Sequence, residues 1–279
     1  MSKYSFVSTP EELQASLKST DLFNFEGYFA AWRSNPKVLQ NMLPPPLQLD
    51  GDIVRIYMVK IHNPSGMPWY RESNLMIKCK MGDTSGWFVV AMYIEGPGAE
   101  MGAYYGRATN MPKKLCESFT VDRMGPLGRA ALSRGGEELF KMKVDINGKY
   151  NNPALAEPFF KEFVPGQKAN NDTFLVQYGR GFADGKPLYT GGRMMIGDCH
   201  LDIKKWEPAT IDSLILGETP NDPWAEVEVV EPIGAAYTVF DLFITNMRDL
   251  GEIDTIEALR RTHKQRFDVG AYGHYIEVL

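Results

Sequence analysis

Two lysines stand side by side in NMPKKLCESF, residues 110–119, where Lys113 and Lys114 follow Pro112 among apolar and small polar neighbours. A free lysine at neutral pH is almost wholly protonated, since its ordinary pKa is about 10.4, and only the neutral amine attacks a carbonyl. Two unit charges ~6 Å apart at an effective dielectric of ~20 repel by about 3 kcal/mol, some two pKa units. Burial depresses a lysine further, so the two effects together would bring one amine to roughly 6–8 and let it condense with a ketone. Pro112 suggests a helix start, whose positive dipole end would push the same way. In a plain strand the two side chains would instead point apart, and burial would have to carry the shift. Lys204-Lys205 in LDIKKWEP is an internal comparison, a like pair that reads as solvated surface. Adjacency alone is therefore weak, and context must decide.

The elements that would position these residues are mostly strands. Thr9-Pro10-Glu11-Glu12 predicts an N-terminal helix over about 9–18, and Asn35-Pro36 a second helix that Pro44-Pro45-Pro46 stops. An amphipathic helix through IDTIEALRRTHKQR, with Ile253, Ile256 and Leu259 on one stripe, opens a C-terminal helical extension over about 252–279. Residues 53–61 and 86–94 are rich in β-branched and aromatic types. Residues 140–150 alternate and reach the hairpin dipeptide Asn147-Gly148. Two strands flank Asp184-Gly185 within 174–203, and 225–244 supplies at least one more. With no βαβ alternation, linker or repeat, the expectation is a single α+β domain over 1–279. It would be mostly antiparallel with a few peripheral helices, and closure into a barrel would remove its exposed edges.

A chain of 279 residues, 44% hydrophobic and 23% charged, has the composition of a soluble globular protein. No apolar run is long enough to span a membrane, and the N-terminus lacks the apolar region of a secretory signal. Cys79, Cys116 and Cys199 have no CxxC spacing, which argues against a disulfide framework or zinc site and for a reducing cytoplasm. A net charge of −5 without basic blocks gives nucleic acid no footprint. GPGAEMGAYYG, residues 96–106, lacks the lysine and Ser/Thr of a phosphate loop. His62, His200, His263 and His274 lack the spacing of a helical metal pair and read as solvated or core histidines. Cys199 and His200, neighbours in a strand, would face opposite sides and could not act together.

The surroundings of PKK resemble the acetoacetate decarboxylase superfamily over most of the chain, from about Phe23 to about Ile244. WRSNPKVLQNMLPPPLQLD resembles the family's aromatic-Arg segment with its helix and Pro-rich stop. Tyr70-Arg71-Glu72-Ser73 resembles its Tyr-x-Glu-Ser element, and Gly106-Arg107 precedes Pro112-Lys113-Lys114-Leu115 as in its Gly-Arg…Pro-Lys-Lys-Leu. The resemblance implies a cone-like β-barrel in a homo-oligomer, with Lys113 forming a Schiff base, Lys114 its cationic neighbour, and Glu72 the active-site carboxylate. Two positions depart from the family's decarboxylases: Phe25 stands in place of an arginine and Tyr57 in place of a glutamate. One residue is also missing between Gly106 and Pro112.

Losing a cation and an anion together changes how a substrate carboxylate is held, while the lysine chemistry is retained. An iminium is an electron sink that also serves retro-aldol cleavage, aldol addition and dehydration, and it needs no metal or added cofactor. Tyr57 could relay a proton to an aldol oxygen, and Tyr237 is a second candidate near the pocket. Arg33 and Arg107 either fix the barrel or supply the lost carboxylate contact. The leading expectation is a Schiff-base lyase that makes or breaks carbon–carbon bonds in a small oxo acid, aldol and dehydration chemistry ahead of decarboxylation. A β-keto acid decarboxylase is the near alternative. From another class, the alternative is a barrel that holds a hydrophobic metabolite without chemistry.

Overall fold

Alternating and β-branched runs pair into one large sheet, and the turn signals between them set its order. The computed structural model describes residues 5–16 and 22–268. Helix α1 (Pro10–Ser16) is followed by β1 (Leu22–Arg33), α2 (Pro36–Met42), β2 (Gln48–Pro64), β3 (Tyr70–Met81) and β4 (Thr84–Glu95). Helix α3 (Ala99–Ala108) then leads to β5 (Lys113–Leu115) and the meander β6 (Ser118–Met124), β7 (Leu127–Arg134) and β8 (Glu137–Asp145). After α4 (Pro153–Phe159) come β9 (Lys168–Asn170), β10 (Thr173–Ala183), β11 (Lys186–Leu216), β12 (Glu231–Glu252) and α5 (Thr255–Arg266).

The strands run β10-β4-β3-β2-β1-β12-β11-β8-β7-β6. Most neighbours are antiparallel, while β4 is parallel to β5 and, over two residue pairs, to β10. Strand β10 also pairs antiparallel with β11, so it bridges β4 and β11. The fold is thus mostly β with few helices.

Several local signals act as expected. Residues 53–61 lie in β2 and 86–94 in β4, and Asp184 and Gly185, both at positive φ, make the turn between β10 and β11. Thr9 and Glu12 exchange a reciprocal pair of caps at 2.8 and 3.2 Å to open α1. Asn35 caps α2. Residues 17–18 of the expected first helix and 269–279 of the expected C-terminal extension lie outside the described residues.

Others differ. Asn147-Gly148 forms a turn but not a hairpin: Gly148 N donates to Pro208 O, and the chain passes to α4 under an Asn152 cap. The buried face of α5 is Ala258 and Thr262, while Ile256 is exposed, so small residues let the helix lie close to the sheet. Helix α3 forms within the glycine-rich stretch 96–106, where Gly102 and Gly106 pack closely against Tyr70 and Lys113.

One face of the sheet carries an aromatic cluster. Phe25 stacks on Phe240 at 4.7 Å between centroids, and Phe29 packs against Tyr57, Phe163, Trp206 and Phe240. Phe25, Phe29 and Phe240 are fully buried. Phe240→Ala is expected to cost about 3–5 kcal/mol, the usual loss for a buried phenylalanine with its cavity, measured by denaturant unfolding.

Candidate functional site

Register places the side chains. Lys113 on β5 lies beside Met92 on β4, Met92 beside Asn74 on β3, and Asn74 beside Tyr57 on β2. Register partners share a face, so the four form one row across the sheet, and Glu72, two residues before Asn74, joins that face. The row walls a cavity of about 210 Å³. Tyr70, Met67, Met111, Tyr105, Leu242 and Ile244 contribute to its lining.

Within it, Lys113 Nζ lies 2.7 Å from Glu72 Oε2, and both side chains are nearly excluded from solvent. Tyr57 donates its hydroxyl to Glu72 Oε1 at 2.6 Å and accepts from Asn74 Nδ2 at 3.3 Å. Lys113 Nζ also reaches the Tyr70 hydroxyl at 3.5 Å. The geometry thus brings together Lys113, Glu72 and Tyr57. Tyr70, Asn74 and Asn171 line the same cavity and were not singled out in the sequence. Tyr70 sits inside the very Tyr-x-Glu-Ser element that marked Glu72, and two residues along a strand share a face.

Pro112 does not begin a helix. It follows one: α3 ends at Ala108, Thr109 caps it, and Asn110 takes a positive φ of 68°. Such a residue just past a helix end, with a proline shortly after, is a stop signal. The residues beyond it extend as β5, and Lys113 and Lys114 therefore leave opposite faces.

Lys114 points away from the cavity. Its ammonium bonds Asp222 at 2.8 Å, Asp268 at 3.1 Å and the Asn221 carbonyl at 3.2 Å. Arg134 bridges the same two carboxylates at 2.5 Å each, and Tyr93 donates to Asp222. Two cations and two anions balance, so Lys114 exerts little repulsion on Lys113.

Burial by itself pulls the Lys113 amine down. The Glu72 carboxylate and the Tyr70 hydroxyl more than offset this and hold its pKa above the ordinary lysine value. The expectation of an amine depressed to roughly 6–8 by burial and a neighbouring cation is corrected accordingly: Glu72 at 2.7 Å holds Lys113 in its charged form. A raised lysine pKa stabilises the fold fully at neutral pH and is lost only as pH climbs through the folded value. Burial and Glu72 raise Tyr57 well above its ordinary value, and burial pushes Tyr70 up to about 12. Both are protonated donors at neutral pH.

The remaining candidates lie elsewhere. Phe25 belongs to the aromatic cluster behind Tyr57 and is absent from the cavity wall. Arg33 is at the surface, paired with Asp52 and Glu231. Arg107 donates to the Lys113 carbonyl at 2.8 Å, fixing the strand rather than facing the cavity. Tyr237 bonds Glu26 and packs on Tyr28, outside the cavity wall. Cys199 lines the cavity while His200 stacks on Phe243. Lys204 and Lys205 pair with Asp241 and Glu207 at the surface. His62 meets Glu26, and His274 lies outside the described residues.

Residues 7–252 match the acetoacetate decarboxylase (ADC) family model, and the chain belongs to that family. It is 25% identical over 268 residues to a CLA biosynthesis isomerase of Lactiplantibacillus plantarum, covering 95% of each chain. A crystal structure of acetoacetate decarboxylase from Legionella pneumophila superposes with a TM-score of 0.70 at 15% identity, covering 90% of this chain and 98% of that one. The enduracididine biosynthesis enzyme MppR, complexed with the condensation product of pyruvate and imidazole 4-carboxaldehyde, superposes with a TM-score of 0.64 at 14% identity, covering 89% and 96%. These structures share the fold. No helix among the described residues is long and apolar enough to cross a membrane.

Two variants separate the roles of the lysines. Glu72→Gln removes the main group that opposes burial at Lys113, so its amine should titrate lower than in the wild type. The pH dependence of Lys113 acylation, followed by mass spectrometry, reads this shift. Lys114→Met strips a cation from a buried network and should cost about 3–5 kcal/mol in denaturant unfolding without moving that acylation profile.

Proposed function

We propose that the protein is a Schiff-base enzyme that activates a small oxo acid through Lys113. The observation that carries this reading is the Lys113–Glu72 pair at 2.7 Å, enclosed in a cavity with Tyr57 bonded to the same carboxylate. Transfer of the ammonium proton to Glu72 gives an amine and a carboxylic acid, an uncharged pair that suits a dry site. The amine adds to the ketone carbon, and the resulting carbinolamine loses its oxygen as water with a proton from Glu72. The iminium that forms keeps a positive charge opposite the regenerated carboxylate.

The iminium draws electrons from the adjacent carbon. Glu72 accepts the proton released there and returns it, while Tyr57 and Tyr70 donate hydrogen bonds to substrate oxygen. Such α-proton transfer is common to aldol addition and dehydration, and these are the chemistry we favour. Double-bond migration uses the same enamine, and the likeness to an isomerase over 95% of the chain supports it as a second reading. Decarboxylation needs only an acid to protonate the α carbon of the enamine it leaves, whereas the carboxylate–tyrosine relay can also take a proton from that carbon, as aldol and dehydration chemistry require. The bridging of β4 and β11 by β10 supports a cone-like barrel around the cavity.

Borohydride reduction in the presence of pyruvate or acetoacetate should add the reduced substrate to Lys113, read by intact mass and peptide mapping. Lys113→Arg should give no adduct and lose turnover by at least about 10³-fold. An unmodified wild-type chain would remove the proposal. Carbon dioxide release from acetoacetate tests the decarboxylase alternative, and Glu72→Gln should slow both adduct formation and the later proton transfer, the latter by roughly 10²–10⁴-fold.

A further inference from the structure

Lys113 is the sole cationic side chain on the cavity wall among the described residues, so nothing there pairs directly with a substrate carboxylate. A second cation lies directly behind the wall. Arg55, two residues before Tyr57 on β2, is 1% exposed. Among the described residues its guanidinium has no carboxylate partner: it donates to Asn171 Oδ1 at 2.5 Å and to Met76 Sδ at 3.1 Å, and stacks 3.8 Å over the Trp87 ring. Among the described residues its Nε has no acceptor. Buried charges are ordinarily paired, and one that is not leaves a standing positive field for an anion.

Asn171 carries that field to the cavity. Arginine can only donate, so the oxygen of the Asn171 amide must face it, and the Nδ2 group is turned the other way. Asn171 is 4% exposed and lines the cavity, and Nδ2 donates to no acceptor among the described residues. The backbone around it is pinned. Asn171 N bonds Cys199 O at 2.9 Å, Thr173 Oγ1 bonds Asn171 O at 2.7 Å, and Asp172 O accepts from Trp87 N at 2.9 Å. The amide is therefore a preorganised donor, polarised from behind and short of an acceptor.

We propose that Asn171, backed by Arg55, is the subsite that holds the carboxylate of the substrate while Lys113 engages its ketone. Asn171 makes the contact, and Arg55 is a positioning residue that acts through it. The subsite gives the oxo acid of the preceding reading a place for its second functional group, and it rests on that reading for the identity of the ligand.

Butyrate has the carboxylate but no ketone, so its binding needs no imine, and butyramide is its uncharged counterpart. By calorimetry the wild type should prefer butyrate over butyramide by roughly tenfold or more. Asn171→Leu should erase that preference. So should Asn171→Asp, which satisfies Arg55 internally and repels the ligand, and it serves if the leucine variant does not fold. Arg55→Gln keeps a donor for Asn171 Oδ1 but drops the charge, and should lower the preference while butyramide binding stays the same. Butyrate binding that is indifferent to Asn171→Leu and Asn171→Asp overturns the subsite. Borohydride trapping of pyruvate tells the two readings apart. A Lys113 adduct whose half-saturation is unchanged in Asn171→Leu sinks the subsite and spares the Schiff base, whereas Asn171-dependent butyrate binding without any adduct does the reverse.

Discussion

An extended strand sends successive side chains to opposite faces, and in β5 that alternation sorts two adjacent lysines into two electrostatic environments. Lys113 enters a cavity and meets a single carboxylate. Lys114 enters a network of Asp222, Asp268 and Arg134 whose charges cancel. Had the segment been helical, both ammonium groups would have shared one region, and mutual repulsion would have been the main influence on reactivity. In the strand, the properties of Lys113 follow from burial and from Glu72.

Burial and Glu72 oppose each other, and their balance is what makes the pair useful. A lone buried ammonium would lose its proton to relieve the cost of desolvation. With Glu72 at 2.7 Å the charged form persists, yet the proton has a short path to the carboxylate. The condensation proposed above would preserve this balance, since an iminium also carries one positive charge. Tyr57 and Tyr70, held in their protonated forms, surround the pair with donors that do not compete for the proton.

A strand of three residues could not hold such a site unaided. Arg107 at the end of α3 bonds the Lys113 carbonyl, and Gly106 lies so close that a Cβ there would stand 2.5 Å from Lys113 Cδ. On the opposite face, Lys114 and Arg134 tie β5 and β7 to Asp222 and to Asp268 beyond the end of α5. Lys113 is thus oriented by a helix on one side and an ionic network on the other. The network turns the second lysine away from the cavity and ties it to Asp222 and Asp268.

Much was legible in the chain itself. Thr9 and Asn35 act on the first turns that follow them, and Asp184-Gly185 makes its hairpin, because caps and tight turns depend on neighbours in sequence. The PKK and Tyr-x-Glu-Ser segments identified Lys113 and Glu72 because motif residues are written contiguously. What tertiary structure alone decided was the face each side chain takes and what stands opposite it. The register of β2, β3, β4 and β5 joined Tyr57, Asn74, Met92 and Lys113 in one row, while pairings elsewhere in the sheet left Arg33 on β1 and Tyr237 on β12 outside the cavity wall and brought Asn171 against Arg55. Those pairings span long stretches of chain, and a shift of one residue would have reversed every face, so no local pattern could specify them.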